Sequence, residues 1–497
     1  MQYVEYALLS PFQKAGIWLA RAIRRLPGAI VSGLRNLWRW IVGRIVGIGC
    51  FFRDIGRAFA HGGPHTRLSF LVMGWGCLAH GQIIKGLLYL AVQAVFILYM
   101  TFFGWSYLRN IGTLGTQTQR QIWNETDQIY EYVQGDNSML ILLYGVLTVI
   151  LCLLFLWVYC LNIRSAYRTH ELRQAGQPVP TFRQDLADLA DRRYHMSLLS
   201  LPTLLVGIFT VLPLIFMVLM AFTNFDKAHQ PPANLFTWIG WDNFKDVFWQ
   251  DPLKSFTFGK LLGWTLVWAV FATFTSYIFG VILALMINKK GIRLKKFWRT
   301  IFVLTIAVPQ FVSLMLMSQV LHDQGVLNTI LKNLHWITES IPFLTDATLA
   351  RISVIVVNMW VGIPYTMLIT TGILMNIPAD LYESARIDGA GPVKTFFKIT
   401  MPYMLFVTTP YLITQFVGNI NNFNVIYLLT GGAPLTLDYY QAGKTDLLVT
   451  WLYKQTVNEQ NYNLASTIGI LVFLISAGFS LLVYRSSASS KKEEEFQ

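Results

Sequence analysis

Long apolar stretches are the feature that most constrains how this chain can fold. A helix needs about 20 predominantly apolar residues to cross the hydrocarbon core of a bilayer. Eight stretches of the chain reach that length, at 84–105, 139–162, 197–222, 262–287, 300–321, 352–374, 403–425 and 465–484. Charged residues make up only 13% of the sequence, against about a quarter in soluble domains. The sequence therefore predicts an all-α, polytopic membrane protein with about eight transmembrane helices.

Basic residues alternate between the two sides of the predicted membrane. The first 67 residues carry ten Lys and Arg and the loop 163–196 carries six, whereas the loop 322–350 carries only Lys332. Because positively charged loops stay in the cytoplasm, we predict a multi-pass protein of a bacterial inner or plasma membrane with both termini cytoplasmic. The net charge of +13 is spread over short loops between the spans, so a nucleic-acid partner is not expected.

The predicted spans divide the chain into four regions. Residues 1–67 form a basic N-terminal region whose segment 12–60 has apolar residues at helical spacing and arginines opposite them. We expect this segment to lie in the cytoplasmic membrane interface, and a further span is the alternative. Residues 68–195 hold two additional spans and a cytoplasmic loop, preceded by a lead-in or re-entrant element at 69–79. Residues 196–485 form a six-span core, and 486–497 a disordered cytoplasmic tail.

The six spans of the predicted core contain no Asp, Glu, Lys, Arg or His. Carriers driven by protons or sodium normally need such residues inside the membrane, so an ion-coupled carrier would have to rely on backbone carbonyls. The chain also lacks the glycine-rich loop that cradles nucleotide phosphates, and its histidines and cysteines show no metal-ligand spacing. We therefore expect no cofactor, metal or catalytic residue in this chain, and an energy source on a partner.

Two predicted spans carry amide and aromatic side chains on one helical face. These positions repeat at i, i+4 and i+7; they are Asn358, Gly362 and Tyr365 in one span and Gln415, Asn419 and Asn422 in the next. An amide that faces lipid is left without hydrogen-bond partners, so these residues must face protein or water. Two interpretations remain open: hydrogen bonds between helices, or contacts to a neutral solute such as a sugar, whose sites combine amides with aromatic faces.

The cytoplasmic loop between the sixth and seventh predicted spans is too long and too apolar to be a plain connection. Pro378 suits the first turn of a helix, Gly389 and Gly391 supply a stop, and Pro402 begins the next span. We therefore predict a helix, a turn and a second helix. Small residues beside the turn would let the surface of another protein approach closely.

This loop resembles the EAA loop of permease subunits of ATP-binding-cassette importers. The resemblance rests on Glu383, Ala385, Gly389, Ile399 and Pro402, with Ser384 and Met401 departing mildly from the usual pattern. It implies that the loop docks on a separate ATPase subunit, which carries ATP and Mg, and that Glu383 pairs with a basic side chain there. The coupling residues that it implies are Glu383, Ala385, Asp388, Gly389, Ile399 and Pro402.

Further segments extend the resemblance over 196–484. Trp241–Phe244, Asp388–Pro392 and Leu429–Pro434 look most similar to the larger membrane subunit of maltose/maltodextrin transporters. That branch implies several partners: a second homologous permease subunit, an ATPase dimer, an extracytoplasmic sugar-binding protein and membrane lipid. The external loop before the fourth span has only about forty residues, so the large external domain of some members is missing.

The same resemblance implies sugar contacts from both polar stripes. Asn358, Gly362, Tyr365, Asn419 and Asn422 match the maltose-type pattern. Gln415 and Gly418 depart from it, because that pattern has a Ser and a bulky aromatic residue there, and a related oligosaccharide therefore becomes a candidate beside maltodextrin.

Taken together, the sequence predicts the permease subunit of an ATP-driven sugar importer, which forms half of the translocation pathway and is not an enzyme. Two alternatives stay open: an ion-coupled secondary sugar carrier, and a membrane scaffold without a pathway. Uptake that survives loss of any ATPase would favour the carrier. Uptake that survives substitution of Tyr365 or Asn419 would favour the scaffold.

Overall fold

The computed structural model describes residues 53, 55–125, 127–289 and 291–486. The internal contacts of the chain divide it into two compact units, Met1–Gly240 and Trp241–Gln497. The predicted interfacial segment at 12–60 and the predicted tail at 486–497 fall largely outside the described residues. The four regions predicted from the sequence stay predictions.

The described part of the first unit contains three long helices, two of which run through a π-helical turn. Its helices are α1 (Pro64–Leu68), α2 (Trp75–Ala79), α3 (Ile83–Tyr99), α4 (Trp105–Asn110), α5 (Ser138–Gln174), α6 (Phe182–Ala190), α7 (Tyr194–Val206) and α8 (Leu212–Met220). The π-helical turns Met100–Gly104 and Gly207–Val211 join α3 to α4 and α7 to α8. Each joined pair is therefore one continuous helix.

The apolar stretch 69–79 does not form a helix long enough to span a membrane. A turn at 69–74 separates α1 from α2, and α2 packs against α3 and α5. The backbone N–H of Gly74 donates to Asn162 Oδ1 in α5 at 2.8 Å. Gly74 has φ 85°, and a Cβ there would lie 2.0 Å from the carbonyl oxygen of Gly86, so only glycine fits.

The loop between α4 and α5 contains the one strand pair found among the described residues. Strands β1 (Arg120–Asn124) and β2 (Ile129–Val133) pair antiparallel, with Trp123 opposite Tyr130. The all-α prediction omitted this hairpin. The strands pair only with each other and bury neither face, so they lack the alternation of apolar and polar residues that marks a half-buried strand.

The second unit begins with a short helix and contains the remaining spans. Its helices are α9 (Asp242–Lys245), α10 (Pro252–Asn288), α11 (Lys295–Ala307), α12 (Gln310–Val320), α13 (Val326–Asn333), α14 (Ala347–Met375), α15 (Ala379–Ile387), α16 (Pro392–Thr395), α17 (Met401–Ile420), α18 (Phe423–Leu429), α19 (Leu448–Val457) and α20 (Tyr462–Ser486). The π-helical turns Asp246–Gln250 and Phe396–Thr400 lie before α10 and α17. Asp251 and Asp346 accept backbone N–H groups in the first turns of α10 and α14, which fixes where these two long helices start.

Helices α10 and α14 form the central pair of the second unit. Their close approach depends on Gly280, where a Cβ would lie 2.6 Å from Thr366 Cβ, as small residues allow in membrane helix pairs. The same two helices contribute to an apolar core that includes Trp264 and Trp268 of α10 with Val357 of α14. Trp268 is completely buried.

The predicted polytopic helical class is confirmed, with six or seven candidate spans. Among the described residues, six single helices are long and apolar enough to cross a membrane: Ile83–Asn110, Ser138–Gln174, Tyr194–Met220, Pro252–Asn288, Ala347–Met375 and Tyr462–Val483. The seventh candidate is the pair α11 and α12, which is bent by 89°.

Two predicted spans differ in detail from the structure. The stretch 300–321 is broken at Val308 and Pro309, where Val308 takes the extended conformation that is favoured before a proline. The stretch 403–425 is broken after Ile420, and α17 is not among the candidate spans. There Asn422 caps the next helix, because its Oδ1 accepts the backbone N–H of Val425 at 3.2 Å.

Candidate functional site

The second unit contains a cavity of about 370 Å³ bounded by α10, α14, α17 and the break between α11 and α12. The lining residues of α10 and α14 come from the middle of these candidate spans. The cavity is therefore placed near the middle of a bilayer. Solute sites of membrane transporters are commonly built at this depth beside interrupted helices.

All six residues of the predicted polar stripes line this cavity. They are Asn358, Gly362, Tyr365, Gln415, Asn419 and Asn422. The first stripe belongs to α14, where helical spacing puts its residues on one face. Gln415 and Asn419 belong to α17, and Asn422 lies just beyond its end, where it caps α18. Gly418, which departs from the maltose-type pattern, does not line the cavity.

Hydrogen bonds hold the asparagines at the end of α17. Asn419 Nδ2 donates to Thr273 Oγ1 in α10 at 2.9 Å, and Asn422 Nδ2 donates to Asn419 Oδ1 at 3.3 Å. The indole Nε1 of Trp268 donates to the backbone carbonyl of Asn419 at 3.0 Å. The helix-to-helix hydrogen bond considered from the sequence is thus present for Asn419, and it holds that side chain at the cavity wall.

Other polar groups of the wall have no partner within the described part of the chain. The side chains of Asn358 and Gln415 make no hydrogen bond to described residues, and the buried Oγ of Ser276 has none there either. Of these three groups, only Ser276 Oγ is a fully buried polar atom, and such an atom without a partner costs about 1–3 kcal/mol. The amides of Asn358 and Gln415 line the cavity with their hydrogen-bonding capacity unused by described residues, which favours a ligand that carries hydroxyls.

The wall is neutral and partly aromatic. The described residues that line it include no Asp, Glu, Lys, Arg or His. The ring of Tyr365, which is 46% exposed, lies 6.3 Å from that of Tyr411, and the Tyr411 hydroxyl lies 3.1 Å from Thr366 Oγ1. Amides beside fixed aromatic faces suit the hydroxyls and apolar faces of a sugar ring.

Several other polar residues of this wall were not predicted from the sequence, among them Ser276, Gln310 and Tyr411. Tyr411 lies four residues before Gln415, so the stripe extended by one helical turn would have found it. Gln310 follows the proline that breaks its helix, which is a signal the sequence did contain. Ser276 had no such signal, because only the close contact with Gly362, where a Cβ would lie 2.9 Å from Ser276 Oγ, brings it to the cavity.

The loop between α14 and α17 has the predicted arrangement of helix, turn and helix. Helix α15 ends at Ile387, and Gly389 then turns the chain with φ 70°. The backbone N–H of Ala390 donates to the carbonyl of Ala385 at 2.8 Å, which closes the end of the helix. The hydroxyls of Tyr382 and Thr400 lie 3.1 Å apart and join the two arms of the loop.

The six predicted coupling residues differ in exposure. Glu383, Asp388, Gly389 and Pro402 are exposed, Ile399 is half-buried and Ala385 is buried. The apolar side chains of Ile387 and Val393, at the tip, are 87% and 71% exposed. An exposed apolar tip beside carboxylates fits a surface that another protein covers, while the role of each residue in coupling stays a prediction.

A neutral cavity between spanning helices, a broken helix beside it and an exposed loop together define a membrane permease. Residues 276–490 match the family described as binding-protein-dependent transport system inner membrane component. The chain belongs to this family, since a relative with 35% identity aligns with 85% of it. The predicted resemblance to permease subunits of carbohydrate importers is confirmed, and the chain is a multi-pass inner membrane protein.

Relatives of this chain include several named permeases. The galactooligosaccharides transport system permease protein GanP of Bacillus subtilis (strain 168) is 35% identical over 431 residues, which cover 85% of this chain and 97% of that protein. The maltodextrin transport system permease protein MdxF of the same organism is 33% identical over 433 residues, with coverage of 85% and 95%. The maltose/maltodextrin transport system permease protein MalF of Escherichia coli (strain K12) is 36% identical over 248 residues, with coverage of 49% and 48%.

A solved structure is similar in fold to part of this chain. It is the crystal structure of a bacterial ABC transporter involved in the import of the acidic polysaccharide alginate. The similarity has a TM-score of 0.50 at 25% sequence identity and covers 61% of this chain and 97% of that chain.

Proposed function

We propose that this chain is the permease subunit of an ATP-driven importer of neutral oligosaccharides, of the maltodextrin or galactooligosaccharide class. The observation that carries the proposal is the convergence of six sequence-predicted residues on one neutral cavity beside a broken helix. Two relatives that align with 85% of this chain are named for galactooligosaccharides and maltodextrin transport, which supports the same substrate class.

The chemistry of the cavity wall favours a neutral solute over an acidic one. No basic side chain occurs among the described lining residues, and burying an unpaired carboxylate is strongly unfavourable. The amides of Asn358 and Gln415 offer both donors and acceptors, which match the hydroxyls of a neutral sugar. This chain should therefore differ in substrate from the importer of acidic alginate whose fold it shares.

Energy and delivery come from partners in this proposal. A second homologous permease subunit completes the pathway, and an extracytoplasmic sugar-binding protein delivers the solute. An ATPase dimer, which holds ATP and Mg, binds the loop 383–402, with Glu383 facing a basic residue of the ATPase. ATP binding closes the ATPases and moves the loop as a rigid body, which changes the side of the membrane that the cavity faces. The chain supplies contacts that differ between the two states and no covalent chemistry.

Sugar-stimulated ATP hydrolysis tests the substrate class. The four components are reconstituted in liposomes, and hydrolysis is measured with a galactooligosaccharide, a maltodextrin or an alginate oligosaccharide. We expect stimulation by a neutral oligosaccharide and none by alginate. Stimulation by the acidic oligosaccharide alone would contradict the proposal.

The energy source separates this proposal from its alternatives. Uptake should stop when the ATPase is inactivated and continue when ion gradients are collapsed; the reverse result would support an ion-coupled carrier. In Asn358→Ala and Tyr365→Ala variants, we expect reduced uptake by a complex that still assembles. Normal uptake in both variants would support a scaffold without a pathway.

A further inference from the structure

The first unit contains a second cavity, of about 790 Å³, bounded by the start of α3, the end of α5 and the segment 178–193. The cavity lies at one end of two candidate spans. Lys85 is at the start of α3, and Arg164 follows the apolar stretch 139–162 of α5. The charge pattern of the loops places this end of both spans on the cytoplasmic side. The cavity therefore lies at the level of the headgroups of the inner leaflet.

Two contacts hold the segment 178–193 against the helices. Gln82 Nε2 donates to the carbonyl of Pro180 at 2.7 Å, and Lys85 Nζ lies 2.9 Å from Asp185 Oδ2. Thr181 starts α6 with a capping box in which Gln184 is the partner, so the wall of the cavity has a fixed helix start. The cavity is a feature of the folded unit and not a gap beside an untethered loop.

The lining carries more positive than negative charge. Among the described residues it contains four basic and two acidic side chains, which are Lys85, Arg164, Arg168 and Arg193 against Asp185 and Asp188. The ion pair of Lys85 and Asp185 neutralises one charge of each sign. Arg168 and Arg193 are exposed to the cavity and solvent, and guanidinium groups bind phosphate oxygens through paired N–H donors.

One side of the same cavity is apolar, and a free anion would make no contact with it. Leu161, Leu186 and Leu189 line it, and the outer surfaces of α3 and α5 beyond it carry exposed apolar residues such as Leu88 and Trp157. A lipid supplies both a phosphate for the arginines and acyl chains for these surfaces. Basic pockets between membrane helices on the cytoplasmic side are a recurring form of lipid recognition.

The chain's own N-terminal residues are a poorer match to this lining. Residues 1–52 carry seven Lys and Arg and only one acidic residue, Glu5. Like charges repel, so an excess of basic residues does not suit a cavity that is itself basic. An anionic occupant from the membrane fits the charge better.

We propose that this cavity binds the phosphate headgroup of an anionic lipid of the inner leaflet. Arg168 and Arg193 contact the phosphate, and the acyl chains lie along the outer surfaces of α3 and α5. Bound in this way, the lipid fastens the cytoplasmic end of the first unit to the membrane.

Native mass spectrometry of the purified full-length chain tests this site, with phosphatidylglycerol and phosphatidylcholine as the probes. The wild-type protein should retain phosphatidylglycerol in preference to phosphatidylcholine. Removing both charges in Arg168→Gln with Arg193→Gln should weaken retention about 30-fold, or about fivefold per charge. Arg168→Lys with Arg193→Lys should keep most of it, because the charge remains.

The matched control removes two charges from the same region without touching the cavity. Arg183→Gln with Arg192→Gln changes α6 and the neighbour of Arg193, and neither residue lines the cavity. Retention in this variant should equal that of the wild type, and an equal loss in both glutamine pairs would overturn the proposal. If the double variant Arg168→Gln with Arg193→Gln fails to fold, the single variant Arg168→Gln should still retain phosphatidylglycerol about fivefold more weakly than the wild type.

A competition experiment with inorganic phosphate shows whether the cavity binds the phosphate of a lipid or free phosphate. Inorganic phosphate at the lipid phosphate concentration should not displace phosphatidylglycerol, because it makes no apolar contact. Displacement that depends on Arg168 and Arg193 would make free phosphate the ligand and overturn the assignment to lipid. Equal retention of phosphatidylglycerol and phosphatidylcholine would overturn it as well.

Discussion

The position of Asn419 at the cavity wall depends on Trp268, a residue that does not line the cavity. Its indole N–H donates to the Asn419 carbonyl, which also accepts the backbone N–H of Asn422 at 3.2 Å. Trp268→Phe removes the indole hydrogen bond, at a cost of about 0.5–1.5 kcal/mol. We expect the apparent affinity for oligosaccharide to fall about tenfold, with a smaller change in maximal uptake, measured as uptake against sugar concentration.

Trp264→Phe is the matched control for this change. Trp264 also lies in α10 and is nearly buried, but its Nε1 donates to the carbonyl of Thr445 at 3.1 Å, away from the cavity. The affinity of the Trp264→Phe variant for oligosaccharide should stay near that of the wild type. An equal loss in both variants would mean that Trp268 only stabilises the core.

Gly362 determines how much room the cavity leaves beside Ser276. In Gly362→Ala the new methyl group would lie 2.9 Å from Ser276 Oγ, so the serine must shift and the cavity narrows. We expect affinity for sugar to fall about fivefold to 30-fold. Gly372 lies in the same helix with open space around it, so Gly372→Ala should leave the affinity for sugar unchanged. A comparable loss of affinity in that variant would contradict the steric argument.

His80 in the first unit gives a prediction for pH. Burial lowers the pKa of His80 below its ordinary value of 6.5, and the charges of Arg173, His170 and His65 lower it further. The neutral ring accepts from Arg173 Nη1 at Nδ1, at 3.1 Å. Because the pKa is lower in the folded state, the neutral ring contributes stability above pH about 6.5, and that stability is lost as pH falls through the folded value.

Thermal unfolding of the purified chain measures this effect. The unfolding temperature should fall between pH of about 7.5 and about 5, and it should fall less in His80→Gln, which cannot be protonated. An identical pH dependence in the two proteins would show that His80 does not contribute.

The helices themselves show how far the sequence predicts the site. The stripe of α14 and the pair Gln415 and Asn419 of α17 were predictable because residues one or two turns apart share a face wherever the helix packs. Asn422 lines the cavity although α17 ends at Ile420, so its place was predicted for a helix that does not extend that far. Ser276 was not predictable, since its place in the wall follows from the contact between α10 and α14. The bend at Pro309 was missed because span length was judged on apolar content alone, which a single proline hardly changes.

The turn after α15 gives a prediction for the coupling loop. Gly389 has φ 70°, a conformation in which a β-branched residue is strained by about 1–3 kcal/mol. Gly389→Val should therefore distort the tip and abolish sugar-stimulated ATP hydrolysis while the chain remains in the membrane. Gly391→Ala is the control, because Gly391 has φ −68° and open space around it. Normal hydrolysis and ATPase association in Gly389→Val would remove the loop from the mechanism.

On the scale of the whole molecule, the chain is a membrane permease, and we propose that its energy comes from a partner. The described residues that line its cavity include no Asp, Glu, Lys, Arg or His, and its exposed loop offers a contact for another protein. Composition established the membrane class, and the resemblance at residues 383–402 identified the family. The three-dimensional arrangement added the neutral cavity that unites two stripes from separate helices, which favours neutral oligosaccharides over acidic ones.

Protection of a cysteine in the cavity by the solute tests this account most directly. In a chain whose four native cysteines are replaced by alanine, Gln415→Cys is labelled with a water-soluble maleimide in the assembled complex. A transported neutral oligosaccharide should slow this labelling several-fold and leave the labelling of Glu339→Cys, in the loop before α14, unchanged. Labelling of Gln415→Cys at the same rate with and without an oligosaccharide that stimulates ATP hydrolysis would contradict the assignment of this cavity to the solute.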